Sequence, residues 1–554
     1  AQFDGTVSGT VTLTGDVAPL SVSVSGANDY TFTGANKISG TGSLTKVGAG
    51  TLTISNANDY SGGTAVNAGA LDLSGSNRIT GALIVDGTGV AKLSGTGHNH
   101  YNASGGITLQ NGGTFTDNST GGFVQSIYST VTFTNGGTMT SEAGANGLGG
   151  FGNYLFINGI NVTGTGLATI SANEVSFNFG DTLTVADTVA GSGTDLLISS
   201  VIGNQRVGTN VKAGVGTLEL TGVNADTSDW SITGGTLKVG GGSAIGDTSA
   251  VTVNASTTLE IDNNETIGSL AGAGNVTLNA NLTLGENTTS TASGVISGTG
   301  SLIKNGTGTL TLSGSNSYTG GSTINSGTLD LVGQGIVDGA ITVDGSGIIK
   351  ISGTGHNATT GINSITVQNG GTLTDNSIGT FVQSVNAGTT TFNNGGTITS
   401  ESGSNGSSGW GNFLFAGINV TGTGLATISS NGMGFSFAQT VTVADTVAGS
   451  GTDLLISSSI KDLYDGLTTK AGAGTLEMTG VNTNISDWSI TGGTLKVGGV
   501  GQLESGTYDG AVANSGTFEY ASSADQTLSG VISGTGALTQ SGVGKLTLSG
   551  DNTY

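Results

Sequence analysis

The stretch Thr309–Gly333 reads TLTLSGSNSYTGGSTINSGTLDLVG, and it fixes the architecture expected of the whole chain. Two short alternating runs, Thr309–Leu312 and Thr328–Leu331, flank a Ser/Asn/Tyr segment and a Gly-Gly pair. Their first leucines, Leu310 and Leu329, lie nineteen residues apart. The same nineteen separates Leu52 from Leu71, Leu218 from Leu237 and Leu476 from Leu495. A constant offset between equivalent strands predicts one winding of the chain per nineteen or so residues, which is the signature of a solenoid.

Composition supports many short strands rather than several globular domains. Of 554 residues, 104 are Gly, one is Pro and 9% are charged, against about 25% charged in ordinary soluble domains. Such a chain could be disordered, but apolar residues still make up 34%, and they alternate with period two. No sustained helical stripe is present. The GxGTLxLxG pattern begins at Gly214 and Gly306, with close variants at Gly48, Gly472 and Gly542, and NGGT begins at Asn111, Asn135, Asn369 and Asn394. Gly and Asn tolerate positive φ, so these motifs are expected to form turns. Stacked parallel strands roughly 4.8 Å apart, at about 19–25 residues per winding, would give on the order of 25 windings and a rod of about 120 Å.

The finer repeats sit inside a larger one of 258 residues. VTGTGLATIS (Val162–Ser171) recurs unchanged at Val420–Ser429, and SDWSITGGTLKVGG (Ser228–Gly241) at Ser486–Gly499. The expected organisation is a cap or diverged coils over 1–35, a first unit over 36–292, its duplicate over 293–528, and the start of a third copy over 529–554. Because Tyr554 falls in mid-unit, the natural chain is expected to continue beyond it.

The segments Lys46–Leu73 (KVGAGTLTISNANDYSGGTAVNAGALDL) and Lys304–Leu331 (KNGTGTLTLSGSNSYTGGSTINSGTLDL) resemble the autotransporter-associated β-strand repeat. That resemblance implies an all-β fold, a right-handed parallel β-helix, in a passenger region of a type V autotransporter or a related large bacterial surface protein. It further implies export to the outer cell surface and a structural or adhesive role. Nothing in the sequence resembles the C-terminal β-barrel translocator of that family.

Charge and cysteine usage narrow the chemistry. With 36 acidic and 13 basic residues the net charge is −23, so nucleic acid and anionic membranes are poor partners. No cysteine is present, which excludes disulfides and thiol chemistry. No apolar run is long enough to cross a bilayer. The expected partners are surface glycans or proteins of a host or neighbouring cell, or further copies of the chain.

The best candidate binding surface is the aromatic loop Phe151, Tyr154, Phe156, matched in the second copy by Trp410, Phe413, Phe415. Exposed rings there could stack on sugars, and buried ones would fill the core where the winding changes. The Asp229–Trp230 and Asp487–Trp488 pairs are expected to cover a turn at one edge. His98, His100 and His356 lack metal-ligand spacing and read as loop residues. Four carboxylates recur in both copies: Asp117/Asp375, Glu142/Glu401, Asp187/Asp445 and Asp195/Asp453. Polysaccharide-cleaving β-helices use acidic clusters, which keeps a carbohydrate-degrading enzyme as one alternative. A filament subunit stacking through its coil ends is another. No GxSxG, P-loop, HExxH or calcium-loop pattern is present, so no catalytic residue, metal ligand or cofactor is assigned.

Overall fold

The computed structural model describes residues 1–554 except 6, 75–78, 97–104, 143, 144, 146, 148, 150, 192, 204, 205, 225, 334–336, 354–361, 378–381, 386, 387, 402–410, 437, 450, 462–465, 484 and 485. Trp410 and the histidines at 98, 100 and 356 lie outside the described residues. Apart from one short 3-10 turn at Glu504–Gly506, the described elements are β-strands, and every pairing among them is parallel. The fold is a parallel β-solenoid. Its residues fall into two compact units, Ala1–Ala280 and Asn281–Tyr554. The repeat in the sequence is phased differently, with its boundary at 292/293.

In the first unit, one sheet stacks thirteen strands from Gln2–Phe3 through Ser43–Lys46 and Asp229–Ile232 to Ser269–Ala271. A second sheet takes alternate strands, from Gly9–Thr12 through Thr51–Ile54 to Asn275–Leu278. The leucines of the nineteen-residue offset are direct register partners: Leu52 pairs with Leu71 and Leu218 with Leu237. Leu52 and Leu71 belong to one unbroken inward column, and Leu218 and Leu237 lie in the column beside it. The first column runs Tyr30, Leu52, Leu71, Ala91, Phe115, Met139, Ile170, Ile198, Leu220, Val239, Ile261, Leu278. All twelve are buried. Each large side chain in such a column contributes about 1.5–3 kcal/mol of burial.

The coil length, however, is not constant. Along this column it is 19 from Leu52 to Leu71 but 31 from Met139 to Ile170 and 28 from Ile170 to Ile198, and it falls to 17 from Ile261 to Leu278. The sequence overstated nineteen as a fixed period because that offset recurs where the repeat motif does. In the long coils the added residues build a third, four-stranded face: Gln125–Ile127, Tyr154–Phe156, Glu174–Phe177 and Val201–Ile202. A wider cross-section needs larger side chains to reach normal packing density. Phe115, Phe133, Tyr154, Phe156 and Phe177 supply them, all buried.

The second unit repeats this plan. Its column runs from Leu310 and Leu329 through Ile349, Leu373, Ile398, Ile428 and Ile456 to Met478 and Val497. Its long coils again carry a third face, Gln383–Val385, Phe413–Phe415 and Met433–Phe435.

Two kinds of turn follow the expected chemistry in different ways. The four NGGT asparagines, Asn111, Asn135, Asn369 and Asn394, all have positive φ, between 51° and 59°. Their side chains form a ladder up one corner of each unit. Asn135 donates to Asn111 (3.0 Å) and Asn111 to Asp86 (2.8 Å), while Asn394 donates to Asn369 (3.0 Å) and Asn369 to Asp344 (2.8 Å). In the Gly306–Gly308 turn the reason is crowding instead. A Cβ on Gly308 would lie 2.0 Å from the Thr288 carbonyl oxygen of the coil before it.

Two substitutions test this account by chemical denaturation of the full chain. Leu310→Ala should cost about 2–5 kcal/mol through the cavity it leaves in the column. Gly308→Ala should cost about 1–3 kcal/mol although it adds one methyl group, because the coils must separate to admit it.

Candidate functional site

The aromatic loops do not form an exposed platform. Tyr154 (0% exposed), Phe156 (1%), Phe413 (0%) and Phe415 (0%) point into the core from the third faces, which corrects the expectation of exposed rings there. The Tyr154 ring lies 5.7 Å from Phe115, and its hydroxyl donates to the Thr140 carbonyl at 2.8 Å. Phe156 stacks on Phe177 at 5.6 Å and Phe413 on Phe415 at 5.9 Å. Short strands with every residue buried lack the alternation that marks an outward ring. Trp230 and Trp488 are corrected likewise. Each lies within a strand and is buried in the core, with Trp230 opposite Asn210 and Val251, rather than covering a turn.

Phe151 is the exception. It is half-buried, and the Arg206 guanidinium lies 5.8 Å from its ring centroid and 5.1 Å from that of Phe179. Both distances fall within cation–π range. Phe179 is 63% exposed and holds φ 55°, a left-handed conformation unfavourable for a bulky residue. A shallow groove of about 390 Å³ lies at the foot of the same corner, lined by Thr108, Tyr128, Ser129, Thr130, Thr132 and Asn158. Tyr128 is 51% exposed, and the buried Ser129 hydroxyl oxygen has no hydrogen-bond partner.

The recurring carboxylates divide between hydrogen-bond acceptors, ion-pair partners and exposed groups. Asp195 Oδ1 accepts from the Thr188 and Val189 amides (2.5 and 2.7 Å) and Oδ2 from the Thr217 amide (2.7 Å); Asp453 repeats this with Thr446, Val447 and Thr475. Asp117 accepts from Ser119 and Asn153, and Asp375 from Ser377 and Asn412. Glu142 and Glu401 pair with Lys92 and Lys350, both at 2.8 Å. Asp187 and Asp445 are exposed. Among the described residues no three His, Asp or Glu gather as a group that could hold a metal.

Sequence reasoning missed a set of buried lysines. Lys46, Lys212, Lys304 and Lys470 occupy inward positions, in register with Val24, Ile232, Leu284 and Ile490. Each amine turns to the corner and donates to glycine-turn carbonyls. Lys212 reaches Ala213, Gly214 and Gly234 at 3.2, 2.9 and 2.8 Å, and Lys470 reaches Ala471, Gly472 and Gly492 at 3.0–3.1 Å. Lys304 donates to Gly306 at 2.7 Å, and Lys46 to Gly48 and Ala68. Burial pushes Lys212 and Lys470 down to about 8, with Asp195 and Asp453 opposing that shift. Lys46 and Lys304 are lowered for the same reason. The signal was legible: each of these lysines stands two residues before the first glycine of a GxG turn.

The passenger-associated-transport-repeat family matches residues 44–73, 211–239, 302–331, 469–497 and 538–554. Five stretches of the chain are thus similar to this repeat. The first four matches each span a buried lysine, its glycine turn and the two register-paired strands. In the fifth, Gln540 stands at the lysine position and donates to the Gly544 carbonyl at 2.8 Å. The third faces lie outside the repeats. No curated protein and no solved structure matches the chain. The repeats together with the solenoid fit an autotransporter passenger, and such repeats imply a secreted or cell-surface protein.

The lysines set an expected pH dependence. Their folded-state pKa lies below the ordinary 10.5, so unfolding takes up protons between about pH 8 and 10.5, and stability should rise with pH across that window. Glu265, raised to about 7 by burial, acts oppositely, its contribution falling as pH rises from its ordinary 4.5 towards 7. Melting followed by circular dichroism should therefore show the rise above pH 8 in the native chain and a flatter profile in the Lys212→Gln/Lys470→Gln variant. The glutamines should be tolerated as Gln540 is. Lys212→Ala, which strands three carbonyls, should cost about 1–3 kcal/mol.

Proposed function

We propose that this chain is a structural and adhesive surface module, a stacked β-solenoid scaffold that displays side chains at its corners to a partner outside the cell. The observation that carries this reading is how the polar chemistry is divided. The buried Asp195, Asp453 and the four repeat lysines are spent on holding turns, while exposed aromatic groups, Tyr128 and Phe179, gather outside the repeats on the third-face corner. Large aromatic side chains left in water are a common mark of a contact surface. A non-enzymatic role fits the same division, because the duplicated carboxylates that glycoside cleavage would need, Asp187 and Asp445 apart, are used as hydrogen-bond acceptors or ion-pair partners.

Beads coated with the full chain are expected to adhere to cell surfaces or to immobilised surface glycans, and the soluble chain should compete for that adhesion. Absence of adhesion across both would sink this reading. Shortening of a polysaccharide by the purified chain would replace it with the enzymatic one.

A further inference from the structure

Three places in the described residues hold chemistry that the scaffold does not use: an apolar cavity of about 470 Å³ among the first coils, the Tyr128 groove, and the Arg206 cluster. The last two belong to one surface. Ile127, Phe156 and Phe177 are register partners on consecutive coils, so the residues that follow them stack along one corner. Tyr128 follows Ile127 directly, and Asn158 and Phe179 each come two residues after their partners. The Asn158 amide donates to the Tyr128 carbonyl, which ties the first two coils of the corner together. Two coil steps of roughly 4.8 Å put Tyr128 and Phe179 about 10 Å apart along the corner. Arg206, from the next coil, covers the Phe179 ring.

We propose that this corner is a binding site for an acidic oligosaccharide, with Tyr128 and Phe179 as stacking platforms for successive sugars and Arg206 as the carboxylate receptor. The inference rests on the adhesive reading above and names its ligand class. Each part answers one feature of such a ligand. Sugar rings present apolar C–H faces that pack on aromatic rings. The groove beside Tyr128 is lined by Thr108, Thr130 and Thr132, whose hydroxyl groups suit the sugar hydroxyls, with Thr130 keeping its acceptor lone pairs while it donates to the Asn158 carbonyl. Among the described residues Arg206 has no carboxylate partner, although the chain's net charge is −23, and the ion pairs there are all made by lysines. Its guanidinium is stacked, leaving its fork pre-oriented for a planar anion.

The platform is also held in place. Phe179 keeps its unfavourable backbone because the next coil packs hard against it, and a Cβ on Gly208 would lie 1.8 Å from the Phe179 carbonyl oxygen. A strained, exposed aromatic that the surroundings over-determine is a feature found at ligand clamps.

The test is titration calorimetry of the full chain with oligogalacturonate and with the same oligomer carboxyl-reduced to its neutral form. The acidic oligomer should bind more tightly than the neutral one by roughly tenfold or more. Tyr128→Ala and Phe179→Ala should each weaken both by roughly tenfold, Tyr128→Phe should retain binding, and Arg206→Gln should erase the preference for the acid. Unfolding midpoints near that of the native chain would show that each variant is folded. No binding of oligogalacturonate, or unchanged binding in the Tyr128→Ala and Phe179→Ala variants, overturns the site. Bead adhesion separates this outcome from the broader one. Adhesion that survives in the triple variant Tyr128→Ala/Phe179→Ala/Arg206→Gln overturns the site alone, whereas a native chain that binds the oligomer without adhering overturns the adhesive reading alone.

Discussion

Everything in each unit depends on in-register parallel stacking of one inward residue per coil. A single coil cannot bury its apolar side, so stability resides between coils and each is a template for the next. The Tyr30-to-Leu278 column shows how tightly that constraint acts. It stays unbroken and buried while coil length varies from 17 to 31 residues. What is conserved along the stack is therefore the face, and the corners absorb the difference.

That freedom at the corners separates scaffold from display. Short coils, where the repeats match, have two faces and a lysine-filled turn. Long coils gain a third face, and its corner carries Tyr128 and Phe179. The buried lysines serve the short coils in a specific way. A glycine turn leaves several carbonyls facing inward with no strand partner, and an amine with three donors satisfies them together. Desolvation of the ammonium is the cost, visible in the lowered pKa of Lys212 and Lys470.

Much of this was legible in the sequence. Leu52/Leu71 and Leu310/Leu329 gave both the parallel register and the inward side, because alternation between glycines has one sensible folding. The NGGT turns were legible for the same reason, since few residues besides Asn and Gly accept their backbone. The aromatic strands Tyr154–Phe156 and Phe413–Phe415 were not, because three consecutive buried residues carry no period to read. Trp230 was misread for want of a strand partner in the sequence, which only the stacking supplies. Lysine looked like solvent-facing charge until its carbonyl partners were in place. The surroundings of Tyr128 and Arg206 were not legible because the groups that give them meaning lie on neighbouring coils, some twenty to fifty residues away along the chain.

The asparagine ladders carry a consequence for the chemical ageing of the chain. Each of Asn111, Asn135, Asn369 and Asn394 precedes a glycine, and each relies on its amide as both donor and acceptor. Loss of ammonia from Asn111 would convert the donor facing Asp86 at 2.8 Å into a second carboxylate, and an attraction into a repulsion. The same change at Asn369 would oppose Asp344. One hydrolysed amide would then loosen a corner shared by three coils, so the durability of this surface is set by the fastest-ageing side chain of its turns as much as by its apolar core.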